Sequence, residues 1–428
     1  YGVKKNNFYQ LKNNLLHSIN KSIVSQHTNK ENDTSLYNII LLSRIYKRKG
    51  NVDLSYHYLK KAETRANKIE AFEILSIIYS EILKLSHQLI SIDIETYIDR
   101  KKENKNRLDL AQEIDIALYS VMYKIKTTQN FSNNTKDNSK ALNSIINSIS
   151  AKKNISKSTK FRVKLFQAIS REFLQNNDFI SLEKYLKATY RDFTKDNIFN
   201  KTNHDQKLMM LTYLTNCLYK NRKMKESLLA AEELNKAMKE FDSFLKNQFL
   251  FYYYNALVIN YSKLDQEKAL QVLDEAKKNK TIQLLPTFGS FIYLNTGLIY
   301  YDQKKYKIAV KHISRLILQK DFINLSSHLQ VKILIAELII RHELKQADII
   351  DTKIKRIKRE YKKELKENNR DLQALLIIEK LIYCPNIYLD KKLQSEMANI
   401  KSISLKESAE NTDIINYNDW LTSICNVS

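Results

Sequence analysis

A chain of 428 residues, 43% of them hydrophobic, has the apolar material for a sizeable core, which excludes global disorder. Four glycines and two prolines are too few for the turns of a β-rich protein of this length, whereas helical hairpins close on the Asn, Asp and Lys that abound here. Lys and Arg number 71 against 47 Asp and Glu, a formal charge of +24, which points to a polyanionic partner or to basic side chains spread over solvated helix faces.

Lys5 to Gln26 opens the chain as an amphipathic helix, with Phe8, Leu11, Leu15, Ile19 and Ile23 in one stripe, expected to cap the first repeat rather than to bind a membrane. Leu36 to Ala66 follows as a hairpin, turning at Gly50, where glycine takes a positive φ without steric penalty. Ala71 to Ile98 is expected to form a long helix, broken by Arg100 to Lys105, with Leu108 to Thr127 as the next. Gln129 to Lys140 is a polar loop containing two glycosylation triads, at Asn130 and Asn133, expected by chance in so Asn-rich a chain. Ala141 to Ile149 is a short helix.

From Phe161 the pattern is a series of helices with short polar turns. They are predicted at Phe161–Asn176, Asp178–Phe193, Asp205–Lys220, Lys223–Glu240, Ser243–Ser262, Asp265–Lys278, Thr287–Gln303, Tyr306–Ile317, Ser326–His342, Gln346–Lys366 and Leu372–Tyr383. Ile415, Trp420, Leu421 and Ile424 predict a last helix that docks on the others.

Two stretches share one spacing of small and large residues. Ser43, Tyr46, Gly50, Ser55, Leu59 and Ala62 form the first; Gly297, Tyr300, Tyr306, Ala309, Ile313 and Leu316 the second. The spacing resembles the tetratricopeptide repeat, a helical hairpin of about 34 residues. Two further hairpins, Leu211 to Leu234 and Asn255 to Ala276, fit one residue out of step, at Tyr219 and Tyr261. The resemblance implies an all-α fold, an α-solenoid of antiparallel helix pairs. The expected organisation is an N-terminal helical region at 1–127 with a repeat at 36–66, a polar connection at 128–160, a repeat array at 161–398, and a polar tail with a short terminal helix at 399–428.

The resemblance also implies a non-enzymatic scaffold that holds a protein or peptide in a groove lined by the first helix of each pair. Asn38, Arg44, Ser290, Tyr293 and Asn295 are the candidates for that lining. The alternative is nucleic-acid or ribonucleoprotein binding through basic helix faces. Its candidates are Lys355, Arg356, Lys358, Arg359, Lys362, Lys363 and Lys366, interleaved with Glu360, Glu364 and Glu367. A solvated outer face is the plainer account of such mixed charge. The run Phe249, Phe251, Tyr252, Tyr253 and Tyr254 points several ways around a helix, so most of it is packing.

Glycines at 2, 50, 289 and 297 allow no phosphate-binding glycine loop, and the eight histidines form no metal pattern, so no catalytic group, cofactor or metal is expected. Phe249 to Tyr261, the longest apolar stretch, is too short to span a bilayer. Three distant cysteines, Cys217, Cys384 and Cys425, suit packing in a reducing compartment, hence the cytoplasm. The start at Tyr1, with no methionine, leaves a removed targeting segment open.

Overall fold

A computed structural model describes residues 5–27, 32–128, 158–383, 391–402 and 413–427. The described residues are all-α, without a strand, and consecutive helices pack on one another. They fall into two compact units, 1–122 with 136–169 and 123–135 with 170–428. The loop and short helix expected between 129 and 157, with both glycosylation triads, lie outside the described residues, as does Cys384.

The first unit holds α1 (Lys5–His27), α2 (Asn32–Arg48), α3 (Val52–Lys68), α4 (Phe72–Leu85), most of α5 (Ile94–Thr128) and the start of α6 (Thr159–Gln175). α2 and α3 form a hairpin, and α4 packs on α3. Ser43 and Ser55 share a buried 2.8 Å hydrogen bond across it, the close approach that two small side chains allow. Phe72 stacks on Phe161 at 5.8 Å.

Two expectations need correction here. Arg100 to Lys105 breaks nothing: α5 runs through it, since the stretch has no Gly or Pro and Glu103 pairs with Arg107 at 2.5 Å one turn on. Asn104, buried, also donates to the Phe72 carbonyl at 2.9 Å. The break lies at Ser86 to Asp93 instead, where the Ser86 hydroxyl bonds the Leu83 carbonyl and Asp93 accepts from the Thr96 amide. The α1 stripe, expected to pack as a cap, is left open, from 46% exposed at Ile19 to 70% at Leu11.

The second unit continues with α7 (Phe179–Lys195), α8 (His204–Lys220), α9 (Met224–Ala237), α10 (Lys246–Leu264), α11 (Gln266–Lys278), α12 (Asn295–Asp302), α13 (Tyr306–Ile317), α14 (Ser327–Glu343), α15 (Ala347–Glu360), α16 (Lys362–Glu367), α17 (Asn369–Tyr383), α18 (Lys391–Ser402) and α19 (Tyr417–Val427). α8 pairs with α9, α10 with α11, α12 with α13, α14 with α15, and α17 with α18.

One turn recurs. Gly50, Asn177, Arg222, Lys304 and Lys345 all have φ between 53° and 77°. In each case the next amide donates back to the carbonyl that closes the first helix: Asn51 to Tyr46, Asp178 to Phe173, Lys223 to Leu218, Lys305 to Tyr300 and Gln346 to Arg341, at 2.8–3.2 Å. This is the Schellman closure, which satisfies carbonyls that a helix end leaves open. From 177 onward neighbouring turns lie roughly 40 residues apart, with the different turn at Asp265 standing between those at Arg222 and Lys304, within the range of paired-helix repeats. Four of the second helices then bury one spacing of side chains: Ser55, Leu59, Ala62; Ser227, Ala231, Leu234; Ala309, Ile313, Leu316; Ile350, Ile354, Ile357; on α7 Leu182 and Leu186 are buried and the third place, Thr189, is half-buried. Burying one such Ile or Leu contributes about 1.5–3 kcal/mol, so this stripe, more than local propensity, holds each hairpin closed.

The shared turn settles the two hairpins read as out of step. In α8–α9 the closing residue is Leu218, not Tyr219, and with Leu218 the hairpin has the common register. The α10–α11 turn is truly shorter. It lacks a left-handed residue, and Asp265, extended at φ −158°, caps α11 by accepting from Lys268 N at 3.0 Å.

Two expected helices are interrupted. Ser290–Leu294 is a π-helical turn ahead of α12, and the wider turn lets three consecutive residues, Phe291, Ile292 and Tyr293, enter the core. Gln346–Lys366 divides at Tyr361 (φ −119°, ψ 33°), so its basic cluster lies on two helices, α15 and α16.

Candidate functional site

The first helices of the pairs carry the expected groove residues. Asn38 is half-buried on α2. Arg44, exposed, spans to α4 and donates to Glu81 at 2.9 Å. Ser290 and Asn295 turn back on their own segment, bonding the carbonyls of Thr287 and Phe291. Tyr293 is 4% exposed, with the Arg315 guanidinium 5.1 Å from its ring centroid, so its ring is core and not a free surface.

The basic candidates are largely answered within the chain. Lys355 pairs with Asp351 at 2.7 Å, Arg356 with Glu360 at 3.0 Å and Lys358 with Glu379 at 2.6 Å. Arg359 and Lys363 reach Glu360 and Glu367 more loosely, at 3.5 and 3.9 Å. Lys362 and Lys366 are exposed and make no ion pair among the described residues.

Two buried polar contacts between helices of the second unit bear on a site. Glu183 on α7, 6% exposed, accepts from Lys187 and Lys223 at 2.8 Å and from Asn221 at 2.7 Å. Burial pushes its carboxyl up, but those three donors win and hold it at about 2. The contact ties α7 to the α8–α9 turn. Cys217, buried behind it, donates to the Leu214 carbonyl, and burial pushes its thiol up to about 12, so it is an inert packing group.

The second contact joins α14, α17, α18 and α19. Arg370, 4% exposed, grips Asp413 through Nε and Nη2 at 3.0 and 2.6 Å, and donates to the Ile400 carbonyl at 2.8 Å and to Asn418 at 3.1 Å. The Tyr417 hydroxyl donates to Asp371 at 2.9 Å. Lys332 on α14, 6% exposed, lies 3.6 Å from Asp371, too far for a hydrogen bond, and its ammonium has no hydrogen-bond partner among the described residues. Burial raises the Asp371 carboxyl and holds the Tyr417 phenol well above its ordinary value. The Trp420 indole donates to Glu343 at 3.1 Å and meets His342 edge-on at 5.8 Å.

The sequence signalled the apolar part of this docking, through Ile415, Trp420 and Leu421, all buried. It did not signal the polar part, because Arg370, Asp371 and Lys332 lie among ordinary surface charge in the sequence and are far from Asp413 and Tyr417 along it. In the first unit a cavity of about 350 Å³ is lined by Glu63, Tyr79, Arg100, Asn104 and Arg107 among others. The described residues hold no group of three or more His, Cys, Asp or Glu placed to bind a metal, and no described helix is long and apolar enough to cross a membrane. Neither a protein-family model nor a curated protein matches the chain.

Proposed function

We propose that this chain is a non-enzymatic scaffold, an α-solenoid of tetratricopeptide-like hairpins whose first helices hold a partner protein or peptide. The observation that carries the reading is the recurrent hairpin: α2–α3, α8–α9, α12–α13 and α14–α15 each close on the same left-handed turn and bury the same places of the second helix. Identical units stacked on one another leave a repeated face of first helices, and such faces suit extended or helical ligands. Capture on the intact chain from native lysate, split into nuclease-treated and untreated halves, tests it. A protein retained in stoichiometric amount after nuclease is expected, and recovery of no protein would remove the reading.

A second reading is polyanion binding, favoured by the exposed Lys362 and Lys366 on α16 and by the net charge. It is the weaker one, because the neighbouring bases already pair with carboxylates. Its discriminator is salt: phosphate contacts weaken steeply between low and moderate ionic strength, whereas a packed protein interface does not.

A further inference from the structure

α14 is buried almost all the way round. Val331, Lys332, Ile333, Ile335, Ala336, Glu337, Leu338, Ile339 and Ile340 are all buried, although the first helix of an outer hairpin should keep one open face. α13, α15 and α17 cover part of it. α19 reaches its end: Trp420 sits on His342 and Glu343, and Tyr417 reaches Asp371, which faces Lys332.

The joint between α19 and its seat is polar where it is deepest. The seat supplies the cations Arg370 and Lys332, the acceptors Asp371 and Glu343, and an apolar floor. The incoming segment supplies the Asp413 carboxylate, the Tyr417 hydroxyl, the Trp420 indole N–H and the side chain of Leu421. Asn416 caps the helix, accepting from the Asn418 and Asp419 amides at 3.0 and 3.3 Å, and Asp413 accepts from the Tyr417 amide at 3.2 Å, so the acid that meets Arg370 also holds the first turn of the helix. A buried ion pair adds little net stability over apolar packing of the same volume, and in some proteins its role is to fix register and partner choice instead.

We infer that α14, α17 and α18 form a binding site for an amphipathic helix that is preceded by an acidic residue and carries Tyr and Trp on its buried face, and that the chain's own residues 413–427 occupy it as an internal ligand. A partner of the same chemistry must displace α19 to enter. The inference rests on the scaffold reading and names its ligand class.

The test uses the full chain and a fluorescein-labelled synthetic peptide of residues 413–427. Asp413→Ala with Tyr417→Ala in the chain loosens its own helix and leaves the seat intact. Trp420 is the single tryptophan, so its quenching by iodide reports release without interference. The expected result is a variant with unchanged helix content, a readily quenched Trp420, and peptide affinity at least tenfold above the wild type, whose tethered helix competes at high effective concentration. A peptide carrying Asp413→Ala is expected to bind at least tenfold more weakly.

If the double change unfolds the chain, Tyr417→Phe, which removes one hydroxyl and no ring, takes its place with the same expected direction. Release of Trp420 without a gain in peptide binding overturns the inference. So does loss of helix content in both variants, since α19 would then be core. A chain that takes the peptide but captures no outside protein keeps the internal site and removes the scaffold reading. Capture of a protein equally well with α19 docked or released does the reverse.

Discussion

Gly297 shows how far single atoms decide this packing. A Cβ at that position would lie 2.7 Å from Ile313 Cδ1, 2.9 Å from Ile313 Cγ1 and 3.3 Å from the Ala309 carbonyl oxygen. Gly297→Ala is expected to cost about 1–3 kcal/mol by overpacking, less the gain of about 1 kcal/mol that Ala brings to a helix interior. Chemical denaturation measures the loss, and adding Ile313→Val, which removes Cδ1, is expected to shrink it. An unchanged loss in the double variant would show that the close approach is not the cause. This contact was legible in the sequence, because a glycine inside an apolar helical pattern, with Ala309 at the facing position, has few explanations other than close approach. Tyr293 was not legible: its burial follows from a π turn that the sequence does not announce.

At the scale of the element, the turns and the α7 contact make separate predictions. Gly50 has φ 77° and no atom within 4 Å of an added Cβ, so Gly50→Ala is expected to cost about 1 kcal/mol through backbone strain alone. Lys345 holds the equivalent conformation at φ 57° with a side chain, so Lys345→Gly is expected to stabilise its hairpin by about 0.5–1 kcal/mol. Denaturation midpoints moving the other way would contradict the shared-turn account.

Glu183→Gln removes a carboxylate held at about 2 in the fold, against 4.5 unperturbed. A depressed acid contributes stability that is complete above pH 4.5 and is lost as pH falls towards 2. Wild type is therefore expected to unfold later than Glu183→Gln at neutral pH, with the gap closing between pH 4.5 and 2. A gap that persists at the acid end would point to lost packing instead. Helix positions were well marked in the sequence: Tyr306–Ile317 agrees to the residue. The divisions at Ser86–Asp93 and Tyr361 were hidden, since Leu89 and Tyr361 each continue the apolar stripe of an amphipathic helix. The register of α8–α9 needed the turn hydrogen bond to distinguish Leu218 from its neighbour Tyr219.

For the whole molecule, periodicity showed the all-α class and the pairing of helices, because most second helices repeat one buried spacing. What the chain binds was less visible, since the face of a first helix differs from a packed face only by what neighbours leave uncovered. The formal charge of +24 overstates the free basic surface, since many bases on α15 are spent on Asp351, Glu360 and Glu379. The account is tested most directly by crosslinking the intact chain to the protein it captures after nuclease treatment, with the linked residues identified by mass spectrometry. Links concentrated on the first helices α8, α10 and α12 are the predicted result. Links concentrated on the basic residues of α15 and α16, from Lys355 to Lys366, would contradict it.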